Sequence, residues 1–367
     1  MIFKFFRFIF FILFFLVNCS IFQKKFQSEN KEIFQYIKVN LGALEEINEI
    51  KSNGTILLKV SPDEKKFSNS LRFKLSEIKG IEKFIFESNQ FEIKSGIFRG
   101  ELEIKFDLKQ NKFLFINKVP LEDYLYGVVP SEMPASWNLE ALKTQAIAAR
   151  TYAVAYIQKN IAEIYHVEST VQSQVYGGVK KETKNSNLAV DQTKSEILVF
   201  AEKPIQAFYH SNSGGKTELA ENVWGFQLPY LKSVESIYCE KAPNFNWEFK
   251  IGKSELSEKL GLKDILEISI LDSFTSGRAK TIHIKETEDS FKNILAVDLR
   301  KLIGGVKIKS TLFDLKLQDE FVYFTGKGFG HGVGMSQWGA KGMADSGKTH
   351  KAILSLYYPG TEFARID

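Results

Sequence analysis

Hydrophobic and polar residues alternate over short spans between residues 55 and 119 of the chain. The segments are TILLKV, LRFKL, KFIFES, QFEIKSG, ELEIKFDL and NKFLFINKV, and they are separated mainly by Gly, Asn and Lys. Alternation with this richness in Ile and Phe places apolar side chains on one face of a strand. The pattern therefore predicts a strand-rich region over residues 54–95 that continues beyond it. Residues 20–53 are mixed and charged, which indicates a tether with some helix.

A helical period begins after Pro120. Glu122 and Asp123 follow this proline, and acids in a first turn are typical of a helix start. A long alanine-rich helix is predicted from about Leu139 to Lys159, with Asn138 as its N-cap. At 100° per residue, positions 139, 142, 146, 153 and 157 share one apolar face. Arg150 projects into that face, which a simple amphipathic helix would not show.

Later segments mix both periods. ILVFA, IQAFYHSN, ILEISILDSF and KTIHIKE predict strands, whereas KSELSEKLG, which ends at Gly261, and AVDLRKLIG predict short helices. The fold class expected from the whole pattern is α+β, strand-rich, with one dominant helix.

The first residues, MIFKFFRFIFFILFFLVNCS, form a different pattern. Lys4 and Arg7 precede an uncharged run over residues 8–17, as in a secretory signal. The run is shorter than the about 20 apolar residues of a spanning helix. It ends at Cys19 in a context that resembles a lipoprotein box, although Asn18 stands where a small residue is usual. We therefore predict a leader over residues 1–19, export, and lipid attachment at Cys19. A plain signal peptide or an uncleaved anchor is the alternative.

Net charge and cysteine content add little to the predicted fold and site. The chain has 367 residues and a net charge of +5, spread along its length. This mild excess does not indicate a nucleic-acid partner, and it would suit an anionic cell-wall or membrane surface. If Cys19 carries lipid, Cys239 is the remaining thiol, and no intramolecular disulfide is expected.

Glu132 is the sharpest candidate for chemistry. It lies between Pro130 and Pro134 in an apolar stretch, where desolvation would favour the protonated carboxyl that a general acid needs. Arg150, if close, would favour the charged form instead. An exposed acid near a helix N-terminus is the alternative that sequence leaves open. For Arg150, a structural ion pair and a substrate role are equally compatible with the pattern.

Two glycine-containing blocks are further candidates. In GKGFGHGVGMSQWGA, residues 326–340, glycine recurs at every second position, so an extended chain would present one face without side chains to a ligand. A glycine-rich loop with a structural histidine is the alternative. HSNSGGKT lacks the first glycine of a phosphate loop, because His210 occupies that position. A polar loop lining a pocket and a simple turn both remain open.

Several segments in order along the chain resemble the SpoIID/LytB family (stage II sporulation protein D and relatives). They are VPLEDYLYGVVPSEMPASWNLEALKTQAIAARTYAVAY, SQVYGG, YHSNSGGKT, ENVW and GFGHGVGMSQWGA. The resemblance implies a catalytic domain over residues 96–367, with the long helix next to an active-site loop and a substrate groove between two lobes. It also implies a lytic transglycosylase that cleaves peptidoglycan glycan strands freed of stem peptides by an amidase. The rival expectation is a non-catalytic glycan-binding member or amidase enhancer.

The resemblance assigns roles by position. Glu132 would be the single catalytic acid and base. The expected substrate-binding residues are Arg150, Tyr152, Gln174, Tyr176, His210, Ser213, His331, Ser336 and Gln337. Some family members bind zinc through histidine and cysteines before the SQVY segment. Ser173 stands near the expected cysteine here, so we expect no zinc despite His166, and no cofactor. The expected location is the cell envelope, either periplasmic or at the outer membrane.

Overall fold

The computed structural model describes residues 33–52, 56–60, 63–67, 69–78 and 83–367. Cys19 and the predicted leader lie outside the described residues. The chain forms two compact units. Unit 1 comprises the described residues up to Gln206 with Glu362–Asp367, and unit 2 is Ala207–Thr361. The sequence-predicted boundary at residue 96 stays a prediction.

Mixed helices and strands make up both units, which confirms the α+β class. The strands are β1 Tyr36–Ala43, β2 Ile47–Ser52, β3 Ile56–Val60, β4 Asp63–Phe67, β5 Ser70–Lys74, β6 Lys83–Glu87, β7 Gln90–Ile93, β8 Gly96–Arg99, β9 Glu101–Asp107, β10 Lys112–Pro120, β11 Val167–Glu168, β12 Glu196–Phe200, β13 Lys203–Pro204, β14 Tyr209–His210, β15 Asn246–Gly252, β16 Glu267–Ser273, β17 Ala279–Thr287, β18 Ser290–Leu295, β19 Phe313–Gln318, β20 Phe321–Lys327, β21 Met335–Ser336 and β22 Glu362–Arg365. The helices are α1 Leu121–Glu132, α2 Leu139–Lys159, α3 Lys184–Gln192, α4 Ala220–Trp224, α5 Lys253–Leu260, α6 Ala296–Ile303, α7 Gln337–Asp345 and α8 His350–Tyr357.

Unit 1 is built on three sheets. The largest has the strand order β11-β1-β10-β9-β6-β3-β4, and the others have the orders β5-β2-β7-β8 and β13-β12-β22. The alternating segments predicted from the sequence supply β3, β5, β6, β7, β9 and β10, so those strand predictions are confirmed.

The predicted tether is wrong over residues 36–52, because this stretch forms β1 and β2. Strand β1 pairs antiparallel with β10, with Tyr36 opposite Pro120, and parallel with β11. Ile37 and Val39 are fully buried in this sheet. Their burial explains why a charged-looking segment is a strand: buried Ile37 and Val39 alternate with the more exposed Tyr36 and Lys38.

The two helices after β10 begin and end close to prediction. Helix α2 has the predicted bounds, and the Asn138 side chain accepts the Glu140 backbone N–H as its N-cap. Helix α1 contains Pro130, ends at Glu132, and is followed by Met133 in an extended conformation. The predicted active-site loop between the two prolines is therefore wrong for Glu132, which is the last helical residue. Pro130 has no N–H to donate to the carbonyl four residues before it, which weakens the last turn and agrees with the end of the helix two residues later.

Unit 2 contains two three-stranded sheets, with the orders β15-β20-β19 and β16-β17-β18, and a small parallel pair, β14-β21. Helices α5 and α6 contribute Leu256 and Leu299 to a buried cluster that includes Trp247 and Phe324 from the sheets. Helix α5 ends at Gly261 in the left-handed conformation, as predicted. The predicted strand IQAFYHSN reduces to the two residues of β14.

The glycine-rich block is not an extended strip. Strand β20 ends at Lys327, and the following glycines at positions 328, 330, 332 and 334 all have positive φ. A Cβ at Gly334 would lie 2.1 Å from the Phe208 carbonyl oxygen. The period-two glycines therefore permit a sequence of tight turns packed against other backbone, and the predicted side-chain-free face does not form.

No helix within the described ranges combines the length and apolar character needed to cross a bilayer.

Gly127 allows a close approach on a buried side of α1, and its replacement tests this packing. A Cβ there would lie 2.6 Å from the Tyr176 ring. Replacing a helical glycine by alanine ordinarily raises the free energy of unfolding by about 1 kcal/mol. Overpacking a buried site lowers it by about 1–3 kcal/mol. We expect Gly127→Ala to lower the free energy of unfolding, measured by urea denaturation.

The control is the same substitution in a Tyr176→Ala background. Removing the ring removes the clash, so the cost of Gly127→Ala should shrink or change sign there. Equal costs in both backgrounds would contradict the packing argument.

Candidate active site in unit 1

Glu132 is half-buried at the C-terminal end of α1, with one carboxylate oxygen fixed in place. Its Oε1 accepts the backbone N–H of Val175 at 2.7 Å. Val128, Val129 and Met133 beside it are fully buried, whereas Pro134 is exposed. The predicted apolar neighbours Val128, Val129 and Met133 are thus buried beside a partly buried carboxylate.

Residues 173–178 form a segment that contacts both α1 and α2. This segment places the Val175 N–H at the Glu132 carboxylate. The Gly177 N–H donates to the Gly127 carbonyl oxygen at 3.3 Å. Gln174 is fully buried, where its Nε2 donates to the Ala149 carbonyl at 3.3 Å and its Oε1 accepts from the Tyr124 hydroxyl at 3.2 Å. This segment is anchored to both helices, so Val175 cannot move independently of them.

Four tyrosine rings pack in two pairs at this segment. The rings of Tyr176 and Tyr124 are tilted by 49° with centroids 4.8 Å apart, and the Tyr176 hydroxyl donates to Asn117 Oδ1 at 3.2 Å. Tyr152 stacks on Tyr156 with ring centroids 4.3 Å apart. Burial first, and then neighbouring groups that include the charge of Glu132, raise the pKa of Tyr152. The hydroxyl of Tyr152 is thus within electrostatic range of the Glu132 carboxylate and stays protonated at neutral pH.

Arg150 is fully buried, and all five of its N–H groups have acceptors. Nε and Nη2 bind the two oxygens of Glu122 at 2.9 and 2.7 Å. Nη1 and Nη2 also donate to Thr193 Oγ1 and to the Glu196 and Val190 carbonyls. Glu122 begins α1 and Glu132 ends it, ten residues or about 15 Å along the axis. This geometry supports the ion-pair alternative for Arg150 and gives a sugar no exposed guanidinium to contact.

The structure brings Glu132, Tyr152, Gln174 and Tyr176 into one region of unit 1. Tyr152, Gln174 and Tyr176 are at most 5% exposed, so their observed contacts hold the segment that positions Val175. Direct substrate binding by these three stays a prediction. The sequence did not predict the Val175 N–H as part of the site, because a backbone donor has no side-chain pattern that marks it. Tyr124 and Tyr156 were missed as well, since their spacing also fits ordinary helix packing.

The remaining predicted residues lie in unit 2, where the two glycine-containing blocks are joined. Strands β14 and β21 pair His210 with Ser336, and Asn212 bridges to Phe329. Ser213 and Ser336 are fully buried, and Ser336 caps α7 by accepting the Gly339 N–H. Gln337, the first residue of α7, is 7% exposed. These positions serve the packing of the turn, and contact with a ligand stays a prediction for them.

Arg278 stabilises this turn by hydrogen bonds to two backbone carbonyl groups. It is 1% exposed and donates to the Ser213 carbonyl at 2.6 Å and the Lys216 carbonyl at 3.0 Å. Burial lowers its pKa to about 10, and the charge of Glu218 opposes that shift. Gly332 lies over the guanidinium, where a Cβ would be 2.6 Å away. Sequence reasoning missed Arg278, which no motif marks.

His210 and His331, the histidines of the two glycine-containing blocks, are neutral at neutral pH. The Nδ1 of His331 accepts the Val333 N–H at 3.1 Å, so Nε2 carries the proton and donates to the Tyr209 carbonyl at 3.0 Å. Burial lowers the pKa of His331 to about 4, and burial also lowers the pKa of His210. His210 donates from Nδ1 to the Val333 carbonyl at 3.1 Å. Both rings therefore serve as uncharged hydrogen-bonding groups.

Potential metal ligands do not cluster in the part of the chain that the structure describes. No group of three or more His, Cys, Asp or Glu side chains there could hold a metal ion. His166 is 7% exposed and accepts the Lys38 N–H at Nδ1, and burial, followed by the charges of Lys38 and Lys105, lowers its pKa to about 4. The expectation of no zinc stays a prediction.

Known proteins match this chain in both units. The family model for Stage II sporulation protein matches residues 109–200, and a domain of unknown function (DUF8618) matches residues 229–334. Stage II sporulation protein D of Bacillus subtilis is 37% identical over 267 residues, which are 69% of this chain and 76% of that protein. An uncharacterized protein of Brachyspira hyodysenteriae is 36% identical over 80% of each chain. The amidase enhancer of Bacillus subtilis is 34% identical over 65% of this chain and 40% of that protein.

The chain therefore belongs to the stage II sporulation protein D family, as the resemblance predicted.

Removing the Arg150 side chain tests the ion-pair interpretation. Arg150→Ala leaves Glu122 partly buried and unpaired, and breaking a buried pair this way costs about 3–5 kcal/mol. We expect a loss of that size in the free energy of unfolding. The matched control is Arg365→Ala, which breaks an ion pair with Asp367 whose side chains are 48% and 45% exposed. It should cost about 0–1 kcal/mol. A wild-type unfolding curve for Arg150→Ala would refute the structural role.

Proposed function

We propose that the chain acts on the bacterial cell wall as a lytic transglycosylase that cleaves peptidoglycan glycan strands. Membership of the stage II sporulation protein D family and the similarity to an amidase enhancer support a role related to sporulation or the cell wall. The specific activity rests on one observation. Glu132, a partly buried carboxylate, is held at the end of a helix by the Val175 N–H, which donates to its Oε1.

The placement of Glu132 suits acid–base work. Its Oε1 is held at 2.7 Å from the Val175 nitrogen, so the orientation of the carboxyl group exists before substrate arrives. A carboxyl group oriented in this way can donate a proton to a leaving oxygen and take up another within one reaction cycle.

The reaction needs only one carboxyl group. Glu132 donates its proton to the oxygen that links N-acetylmuramic acid to N-acetylglucosamine, and the bond from that oxygen to the anomeric carbon breaks. The 6-hydroxyl of the muramic acid sugar then attacks the same carbon, and the Glu132 carboxylate takes the proton of that hydroxyl. The products are a 1,6-anhydro end and a free 4-hydroxyl, and the acid is restored. Most glycosidases need a second carboxylate to activate water or to attack, and internal attack removes that need.

Glu132→Gln should abolish this activity while leaving the fold intact. The amide keeps the shape of the side chain and cannot donate the proton, and acid–base catalysis contributes about 10²–10⁴-fold. The assay digests amidase-treated sacculi and quantifies 1,6-anhydro-N-acetylmuramic acid ends by mass spectrometry. Binding of the variant to the same glycan should persist.

Glu140→Gln is the matched control. Glu140 lies in the first turn of α2 and pairs with Lys143 at 2.9 Å, so its loss should leave turnover near wild type. Release of anhydro ends by Glu132→Gln at the wild-type rate would overturn the proposal.

A non-catalytic amidase enhancer is the second candidate, and the similarity to the Bacillus subtilis amidase enhancer favours it. It requires an N-acetylmuramoyl-L-alanine amidase as partner. Intact wild-type protein would then raise the rate at which a purified amidase releases stem peptides and would produce no anhydro ends. The transglycosylase proposal requires the opposite order, in which amidase treatment of the glycan precedes cleavage.

We also propose that the chain is exported and attached to a membrane of the cell envelope through lipid on Cys19. The charged and then apolar leader that ends at Cys19 supports this. Metabolic labelling with a fatty-acid probe should mark the wild type and should not mark Cys19→Ala. Cys239→Ala is the control and should label like the wild type, because Cys239 is fully buried. Equal labelling of the wild type and Cys19→Ala would exclude the anchor.

A further inference from the structure

Both backbone groups of Val333 are hydrogen-bonded to histidine side chains within unit 2. Its N–H donates to Nδ1 of His331 at 3.1 Å, and its carbonyl oxygen accepts from Nδ1 of His210 at 3.1 Å. Val333 is fully buried and lies between Gly332 and Gly334, which both have positive φ. The two histidines therefore hold the glycine-rich turn, residues 328–334, at a buried position.

His331 can accept the Val333 N–H only while its imidazole is neutral. Its Nε2 carries the proton, because that nitrogen donates to the Tyr209 carbonyl oxygen at 3.0 Å. A further proton must enter at Nδ1, where it would occupy the lone pair that accepts the Val333 N–H. An imidazolium has donors at both nitrogens, so two N–H groups would then point at each other. Protonation of His331 is thus incompatible with the observed hydrogen bond.

His210 is also poorly placed to become charged. Its Nδ1 is the donor to the Val333 carbonyl, so a further proton would enter at Nε2. This atom is buried, and it has no hydrogen-bond partner among the residues that the structure describes. A buried N–H without an acceptor is unfavourable. The ring centroids of His210 and His331 are 5.4 Å apart, so a charge on either ring opposes a charge on the other.

The charges around the two rings give an imidazolium little support. Burial lowers the pKa of His331 to about 4, a hydrogen bond to a backbone carbonyl opposes this shift, and the positive charges of Arg300 and Arg278 add to it. Burial is also the largest cause that lowers the pKa of His210, followed by the charges of His331 and Arg278. The carboxylate of Glu218 acts on Arg278 and already accepts three hydrogen bonds. That acid therefore offsets the guanidinium.

We propose that His331 and His210 form an acid-sensitive latch, which holds the glycine-rich turn closed while both rings are neutral and releases it when either ring takes up a proton. In an open turn the rings reach water and regain the ordinary pKa of 6.5, whereas the pKa of His331 in the closed turn is about 4. The open turn thus binds the proton more tightly. The closed turn is fully favoured above pH 6.5 and loses stability as the pH falls from 6.5 towards 4. The latch belongs to unit 2 and does not depend on the proposed function.

Hydrogen exchange of the Val333 amide measures the latch directly, because this buried N–H exchanges only when the turn opens. Exchange in the full chain is followed by mass spectrometry between about pH 7.5 and about pH 4.5, and each rate is divided by the intrinsic rate of an unprotected amide at that pH. Opening should become about 10- to 100-fold more frequent at the acid end of the range. The amides of β20, which pairs with a strand on each side, are the internal reference and should keep their protection.

Asparagine at both histidine positions gives a variant that cannot titrate. In His331→Asn the side-chain oxygen can accept the Val333 N–H, and in His210→Asn the side-chain nitrogen can donate to the Val333 carbonyl. The double variant should show no increase in opening at acid pH, and each single variant should keep part of the increase. His283→Asn is the matched control and should open like the wild type, because His283 lies on β17 and bonds to Asn293.

Constant protection of Val333 in the wild type over this pH range would overturn the latch, whether or not the variants fold. Equal loss of protection in β20 would also overturn it, because it would show acid unfolding of the whole unit in place of the opening of one turn. So would an unchanged acid response in the double variant, whose folding at neutral pH is checked by thermal unfolding.

Discussion

A single buried cation fixes the helical layer of unit 1. Arg150 has no exposed surface, and removing a guanidinium from water costs several kcal/mol unless its donors are satisfied. Glu122 and acceptors at Val190, Thr193 and Glu196 satisfy all of them. Helices α1, α2 and α3 and strand β12 are therefore tied together at one point. None of them can shift without exposing a donor or leaving Glu122 unpaired.

This constraint reaches the candidate site through helix α1. The ion pair holds one end of α1, and Glu132 lies at the other end, about 15 Å away along a rigid rod. There the close approach of Tyr176 over Gly127 fixes residues 173–178 against the helix, and these residues supply the Val175 N–H. The same sequence block thus contains one carboxylate, Glu122, that forms a structural ion pair, and another, Glu132, that is oriented by a backbone N–H. Both residues are glutamates, and their positions near opposite ends of α1 give them different surroundings.

The sequence predicted what depends on local periodicity. Strands β9 and β10 and the bounds of α2 follow from alternation, a 3.6-residue period and an N-cap, all of which act over a few residues. Strand β1 was missed, because its partner β10 is about eighty positions away and no local signal reports that pairing. The role of Arg150 stayed open for the same reason, since three of its acceptors lie beyond residue 189. For the glycine-rich block, a period of two was read as extended chain, whereas positive φ at each glycine produces turns.

The chemistry of unit 2 bears on where proton transfer can occur. His331 uses both nitrogens on backbone groups, and burial lowers its pKa to about 4, so at neutral pH it neither donates nor accepts a proton readily. Burial lowers the pKa of His210 as well, and Arg278 stays charged within a network of carbonyl groups. These buried groups hold backbone turns of unit 2 in place. The proton transfer of the proposed reaction is therefore assigned to the Glu132 carboxyl group of unit 1, whose Oε1 is oriented by the Val175 N–H.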